Sequence, residues 1–281
     1  MITVFITGAT GFVGRHVCRR LVADGHKVTA ILRRGSAERL PVGVTSIVEV
    51  DDLFTKTPEW WAGIFTKSAH IIHLAWTATP GQYIDDPANL RCLAGTIALA
   101  EGAIASGAAK FTGIGTCFEY GMRDTPLDIA SPLDPQSPYA GAKAATYLAL
   151  SSTLPSTSTA LAWCRLFHLY GEGEHPNRLV AQLHDRLSRG LPVDLSHGHQ
   201  IRDFLEVGEG ARRVVAAALG DVTGPVNICS GKGISVRALA RRIAEKYGRP
   251  DLLNIGARPD NPFDPAIVVG VPTEMSKDLA Q

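Results

Sequence analysis

The chain has little that would tie it to nucleic acid, to a membrane or to an oxidising compartment. Across 281 residues, 28 Lys and Arg face 27 Asp and Glu, so the formal charge of +1 offers no basic footprint to a polyanion. No run reaches the roughly 18 apolar residues of a membrane span. The five cysteines (Cys18, Cys92, Cys117, Cys164 and Cys229) are scattered and never spaced CxxC. Neither a disulfide framework nor a zinc knuckle is legible, and no metal site is expected. High apolar content with low net charge excludes a disordered chain. The opening MITVFITGATG runs straight into a glycine-rich turn, with no leader pattern. These features predict a soluble, cytoplasmic, globular protein with no nucleic-acid or membrane partner, long enough for roughly one to two domains.

What is present is a regular alternation of short apolar runs and helical patterns. Strands are expected at Thr3–Thr7, Lys27–Leu32, Val44–Val50, His70–Ala75, Lys110–Gly115 and Ala160–Leu166. Helices are expected at Phe12–Ala23, Pro58–Phe65, Asp86–Ser106 and Tyr139–Ser152. Strands separated by helices of this length imply right-handed crossovers and a parallel sheet covered on both faces. The first half therefore reads as α/β, a doubly wound sheet of Rossmann type. After Leu166 the pattern loosens: a glycine- and proline-rich loop, a helix over Leu179–Arg189, a polar strand pair around Pro192–Phe204, and a helix over Gly208–Leu219. A strand over Val226–Cys229, a helix over Ser235–Tyr247 and a tail broken by prolines complete the chain. The expected division is a dinucleotide domain over 1–166 with a return segment at about 205–230. A smaller mixed α/β substrate lobe would take 167–204 and 231–281.

TGATGFVG places Gly8, Gly11 and Gly14 between the first strand and the first helix. In that context the glycines serve a tight turn, close approach of a pyrophosphate and close helix–sheet packing, with the phosphates at the helix N-terminus. The plain alternative is a βα turn that merely tolerates glycine. An enzyme preferring NAD carries a carboxylate ~20 residues further on, to meet the ribose 2′-hydroxyl. Here Arg33 and Arg34 occupy that zone, with no carboxylate before Glu38. Two guanidiniums suit a 2′-phosphate, so NADP(H) is favoured over NAD(H), unless both are simply solvated.

Tyr139 and Lys143 stand four apart at the start of a predicted helix, so phenol and ammonium share one face. A lysine cation beside a tyrosine favours the phenolate and lowers its pKa. YxxxK alone is a weak pattern, but the fifth strand ends in GTCFEYG, beyond the carboxyl end of a strand where such sheets form sites. Thr116 offers a hydroxyl there.

Together these residues resemble the extended short-chain dehydrogenase/reductase family, in its nucleotide-sugar epimerases, dehydratases and ketoreductases. The resemblance covers nearly the whole chain: TGATGFVG, Asp51-Asp52-Leu53, HLAW at 73–76, GTCFEYG, SPYAGAK, RLFHLYGEGE at 165–174, QIRDFLEV at 200–207 and NICSGKGISVRALA at 227–240. It implies that Thr116, Tyr139 and Lys143 are catalytic: Tyr139 exchanges the proton, Lys143 binds the nicotinamide ribose, and Thr116 orients the substrate oxygen. It implies cofactor contacts from Gly8, Thr10, Gly11, Phe12, Val13, Gly14, Arg33, Arg34, Asp51, Asp52 and Leu53. Further along they continue with Leu74, Ala75, Trp76, Leu166 and His168. Thr116, His168, Arg178, Arg202 and Arg258 fall where a nucleotide-diphosphate sugar would bind, each arginine having a solvated or salt-bridged alternative. In the family it resembles, the helices matching 86–106 and 139–152 pair across a two-fold axis, which implies a homodimer, with a monomer whose helices pack on the sheet as the alternative.

Departures from the pattern narrow the chemistry. Dehydratases carry aspartate then glutamate after the catalytic threonine, whereas this chain has Cys117 and Phe118. A phenyl ring moves no proton, which argues against 4,6-dehydration. Glu119 stands where the family usually has valine, with an arginine of the second lobe as its expected partner. His168 and Cys92 each replace a common asparagine. Cys117 as a nucleophile lacks an assignable histidine. The leading expectation is an NADPH-dependent 4-ketoreductase, with an NAD-dependent 4-epimerase as the alternative. A reductase of a non-sugar carbonyl and a silent dinucleotide-binding protein are the more distant readings.

Overall fold

Strands that are apolar on both faces can be buried only between two helical layers. The computed structural model, which describes residues 1–79, 81–261 and 264–275, places them so. Pro262 and residues 276–281, part of the expected second lobe, lie outside the described residues. In chain order the first half contains β1 (Thr3–Thr7), α1 (Phe12–Ala23), β2 (Lys27–Arg33), β3 (Ser46–Val50), α2 (Pro58–Ile64) and β4 (His70–His73). It continues with α3 (Ala88–Ala105), β5 (Lys110–Thr116), α4 (Pro138–Thr153) and β6 (Ala160–Leu166). The second half adds β7 (His168–Tyr170), α5 (Leu179–Ser188), β8 (Val193–Leu195), β9 (Ile201–Glu206) and α6 (Val207–Leu219). It ends with β10 (Gly224–Ile228), β11 (Gly233–Ser235), α7 (Val236–Lys246), β12 (Leu253–Ile255) and β13 (Ile267–Val268).

Seven strands form the main sheet in the order β10-β6-β5-β4-β1-β2-β3, and every neighbouring pair is parallel. This is the Rossmann-like arrangement, with order reversing between β1 and β4. Helices α1 and α6 cover one face through Val17, Leu21, Val214 and Ala217, and α2, α3 and α4 cover the other around Trp61, Leu99, Ala103 and Leu150. Every residue of β5 is buried, as a central strand requires. Lys110, at its start, donates from Nζ to the carbonyls of Gly220 and Val222, which ties the chain leaving α6 to the base of β5. Among the described residues no helix is long and apolar enough to cross a membrane.

The second half differs from expectation in one pairing. The segment around Pro192–Phe204 is not a strand pair: β8 pairs with β12, whereas β9 pairs with β7, β11 and β13. Val193 and Leu195 are buried with Val180, Leu183, Leu187, Ala240, Ile243 and Ala244, between α5 and α7, which draws β8 away from β9. The proline-broken tail also contributes strands β12 and β13. Ser235 caps α7 as its sequence suggests, accepting from Ala238 N.

Leu21 is fully buried between α1 and the sheet. Leu21→Ala should lower the unfolding free energy by about 2–5 kcal/mol, read as a reduced urea midpoint. An unchanged midpoint would mean that the α1 layer is not packed as described.

Candidate active site

The groups of interest gather at the carboxyl edge of the sheet. Leaving β1, Gly8 has φ +73°, and a Cβ on it would stand 2.7 Å from the Ala75 nitrogen. A Cβ on Gly14 would stand 2.0 Å from the Gly8 carbonyl oxygen. The glycines thus let α1 and the chain leaving β4 close on the same turn. Gly11 caps α1 without a side-chain hydrogen bond, and the first turn has no acidic residue. Unpaired first-turn N–H groups at a positive helix end suit a pyrophosphate. Phe12 and Val13 pack their side chains on the core, and the Thr10 and Gly11 carbonyls take the Arg15 guanidinium. Ala75 N donates to Thr7 Oγ1, and Leu74 N to the Thr7 carbonyl, which sets the wall of the turn.

At the end of β2, Arg33 is exposed, and Arg34 Nε lies 3.0 Å from Asp51 Oδ1, both side chains largely in solvent. Arg39 donates to buried Ser36 Oγ at 2.9 Å. Asp52 accepts from Phe54 N, capping the short turn that Leu53 opens, and meets Arg91 at 3.4 Å.

Thr116, Tyr139 and Lys143 come together where β5 ends beside the first turn of α4. Ser137 caps that helix and Pro138 starts it. Tyr139 N–H donates to the Ile84 carbonyl. The Thr116 side chain lies beside the Tyr139 phenol, and its Oγ1 accepts from Phe118 N at 3.3 Å. Its ring stands edge-on to Tyr83 at 4.8 Å and to Trp76 at 6.4 Å. One turn on, Lys143 is buried, donates from Nζ to the Ile114 carbonyl at 2.6 Å, and lies 3.6 Å from the centre of the Trp76 ring. Trp76 is fixed in turn by Nε1 donating to Asn89 Oδ1 at 2.7 Å.

Burial governs the charges here. It drops the Lys143 ammonium to about 7, with the Glu119 carboxylate opposing the fall. Burial also pushes the Tyr139 phenol above its ordinary range, and the neighbouring Thr116 side chain opposes that rise. Burial raises the Cys117 thiol to about 12, which removes it as a nucleophile at neutral pH.

Beyond β6, His168 of β7 packs against Phe118 and Phe204, and its Nδ1 is buried without a partner among the described residues. Desolvation, then the positive charges of Arg202 and Arg178, hold its imidazole down to about 3, so it is neutral. Arg202 is buried and paired with Asp264 at 2.5 Å, and Arg178 pairs with Glu174 at 3.2 Å. Leu166 ends β6 in register with Thr116. Arg258 stands exposed on the loop after β12.

Glu119 corrects an expectation: its partner is Arg165 of β6, inside the main sheet, at 2.7 Å, not an arginine of the second lobe. Tyr83 and Asn89 went unread in the sequence, because a loop tyrosine and a first-turn asparagine carry no local signal. Glu119 had one: Thr116-x-x-Glu119 is a capping-box spacing, and the box is formed.

A sequence profile of the NAD dependent epimerase/dehydratase family matches residues 4–229. The chain is 28% identical over 251 residues to dTDP-6-deoxy-L-talose 4-dehydrogenase (NAD(+)) of Aggregatibacter actinomycetemcomitans, covering 86% of this chain and 90% of the relative. It is 30% identical over 268 residues to UDP-glucose 4-epimerase of Mycolicibacterium smegmatis, covering 88% and 83%. The crystal structure of the Thermus thermophilus UDP-glucose 4-epimerase with NAD is similar at a TM-score of 0.81 and 26% identity, over 96% of this chain and 91% of the other.

Lys143 releases its proton near 7 in the folded chain, against an ordinary 10.5. Between those values the unfolded chain holds more protons, so folding stability from this group rises with pH. The stability advantage of Lys143→Met over the wild type should therefore be greatest below pH 7 and shrink as pH rises to about 10. Urea unfolding of both proteins at several pH values measures it. A pH-independent difference would show that Lys143 is not desolvated.

Proposed function

Because the chain belongs to the NAD dependent epimerase/dehydratase family, we propose that it carries out hydride chemistry at C4 of a nucleotide-diphosphate sugar, with reduction of a 4-keto sugar as its net reaction. The observation that carries this reading is the convergence of Thr116, Tyr139 and Lys143 beside the uncapped glycine turn. A bound nicotinamide dinucleotide supplies or accepts the hydride. Tyr139, kept protonated by its burial, gives its proton to the C4 oxygen. The Thr116 hydroxyl, beside the phenol, orients that oxygen. Lys143 Nζ, facing the groove wall at Trp76, binds the nicotinamide ribose. Arg178 and Arg202 are the diphosphate ligands, His168 is a neutral polar group beside them, and Arg258 reaches the nucleotide from the loop after β12.

Support for C4 comes from the named relatives, a 4-dehydrogenase and a 4-epimerase. The 30% identity to the latter favours a second reading, reversible 4-epimerisation with no net redox change. The guanidiniums of Arg33 and Arg34 support NADP(H), whose 2′-phosphate must displace the Arg34–Asp51 pair. NAD(H), named for two of the compared proteins, is the second cofactor reading. Exposed Leu90 of α3 and Leu148 of α4 support a homodimer. We also take 1–166 with about 205–230 as the dinucleotide domain and the remainder as the substrate lobe.

Two tests follow. Tyr139→Phe should keep dinucleotide affinity while reduction of a panel of nucleotide-4-keto-6-deoxy sugars, followed by nicotinamide absorbance, falls about 10²–10⁴-fold. Interconversion of two stereoisomers by the wild type, without net oxidation of cofactor, selects the epimerase. Arg34→Ala should weaken NADPH roughly tenfold and leave NADH nearly unchanged, as read by fluorescence titration. Equal losses would refute the NADP(H) preference.

A further inference from the structure

Three residues past Thr116, the Glu119 side chain is fully buried, as is that of Arg165, at 0% and 1% exposure. Its oxygens are saturated with donors. Oε1 accepts the Thr116 N–H at 2.8 Å, both oxygens accept from Trp163 Nε1 at 3.1 Å, and Oε2 accepts from Arg165 Nε at 2.7 Å. Arg165 passes the connection on, donating from Nη1 to the Tyr120 hydroxyl at 2.9 Å, which donates to Asn227 Oδ1 at 2.7 Å. The guanidinium is sandwiched between the Tyr120 and Tyr147 rings, at 4.6 and 4.5 Å. The strand is cut to admit the carboxylate: a Cβ on Gly115 would fall 2.2 Å from Glu119 Oε1 and 2.3 Å from Trp163 Nε1.

Replacing a buried ion pair of this kind by apolar residues often costs no stability, so stability alone is a weak account of it. Its position suggests more. The carboxylate grips the Thr116 N–H, two residues past the Ile114 carbonyl that takes Lys143 Nζ, so the end of β5 carries the anion on one side and the ammonium on the other, and the negative charge acts on both Lys143 and Tyr139. The titratable groups facing Lys143 are His73 of β4, Cys92 of α3 and Glu119, the last being the anion. Tyr139 is faced by Glu119, Cys117 and Tyr83.

We propose that Glu119 is a positioning residue of the redox site: it fixes the Thr116 backbone and sets a buried negative charge beside the stretch of β5 whose Ile114 carbonyl holds the Lys143 ammonium. This rests on the reaction proposed above for its catalytic meaning, though not for its electrostatic content. The carboxylate attracts the ammonium and repels a phenolate, so its removal should ease proton loss from both.

The test uses protein labelled with ¹³C-lysine, following the Cε resonance of Lys143, which is assigned by its disappearance in Lys143→Met. In Glu119→Gln the midpoint should move down by about one pH unit, and the alkaline limb of the kcat–pH profile should move down with it. The KM and dinucleotide Kd should change less than threefold. A second variant, Glu119→Gln with Arg165→Met, leaves no uncompensated buried charge, and should show a displacement in the same downward direction, smaller because a cation is removed as well. A midpoint unmoved in whichever variant folds overturns the proposal. So does collapse of both, which would make Glu119 a folding residue only. The titration needs no turnover: a wild type inactive on every probe sugar counts against the proposed reaction and leaves the Glu119 result standing.

Discussion

An ammonium taken out of water must be met by other groups, and much of the site follows from how this chain meets the one on Lys143. The Ile114 carbonyl accepts one of its N–H bonds and the face of Trp76 meets the charge. The indole can do so only if it is held, and Asn89 holds it. Asn89 is itself buried and donates to the carbonyls of Tyr83 and Asp86. The same stretch of chain supplies the Ile84 carbonyl that receives the Tyr139 N–H at the head of α4, and α4 carries Lys143. The contacts close into a ring. A shift at any member is felt at both the phenol and the ammonium, which is how a loop without regular structure takes part in placing two proton-handling groups.

The parallel sheet decides where that ring can form. Parallel strands deliver all their carboxyl ends to one edge, and the reversal of order between β1 and β4 opens the crevice there. The crevice is narrow at its floor, because the Gly8 turn lies against the backbone at Leu74 and Ala75. Beside it, β5 runs wholly buried and ends at Thr116, in register with Leu166 of β6. Trp163 and Arg165, which a sequence reading assigns to the interior of β6, sit under the end of β5 and meet Glu119. The core of the sheet and the electrostatics of the site are therefore built partly from the same side chains.

The alternation of strands and helices in the first half was legible because fully buried strands and amphipathic helices leave different periods. Helix α1 and strands β1 and β6 fall on their expected bounds. The glycine turn and the Tyr139–Lys143 spacing were legible for the same reason: local geometry dictates both. What failed was non-local. β8 and β9 lie close in sequence but belong to different sheets, since Val193 and Leu195 answer to the α5–α7 cluster and not to each other's neighbours. The Glu119–Arg165 pair spans 46 positions, and nothing in either residue's surroundings in the sequence announces the other. The capping-box spacing was visible, but it accounts for only one of the carboxylate's partners.

The arginines of the second half show the same economy of charge in a different form. Arg202 is nearly as buried as Lys143, and a guanidinium there needs an anion at all times; Asp264 provides it. A phosphate arriving at Arg202 would exchange one anion for another, so the gain is a difference between two pairings and not the full strength of either. Arg178 and Arg34 stand in the same relation to Glu174 and Asp51, with more water around them and weaker pairs to replace. His168, neutral between Phe118 and Phe204, adds no charge to that exchange. For any anion meeting these guanidiniums, geometry would then matter more than the number of cations assembled, because each fork is already oriented by a carboxylate.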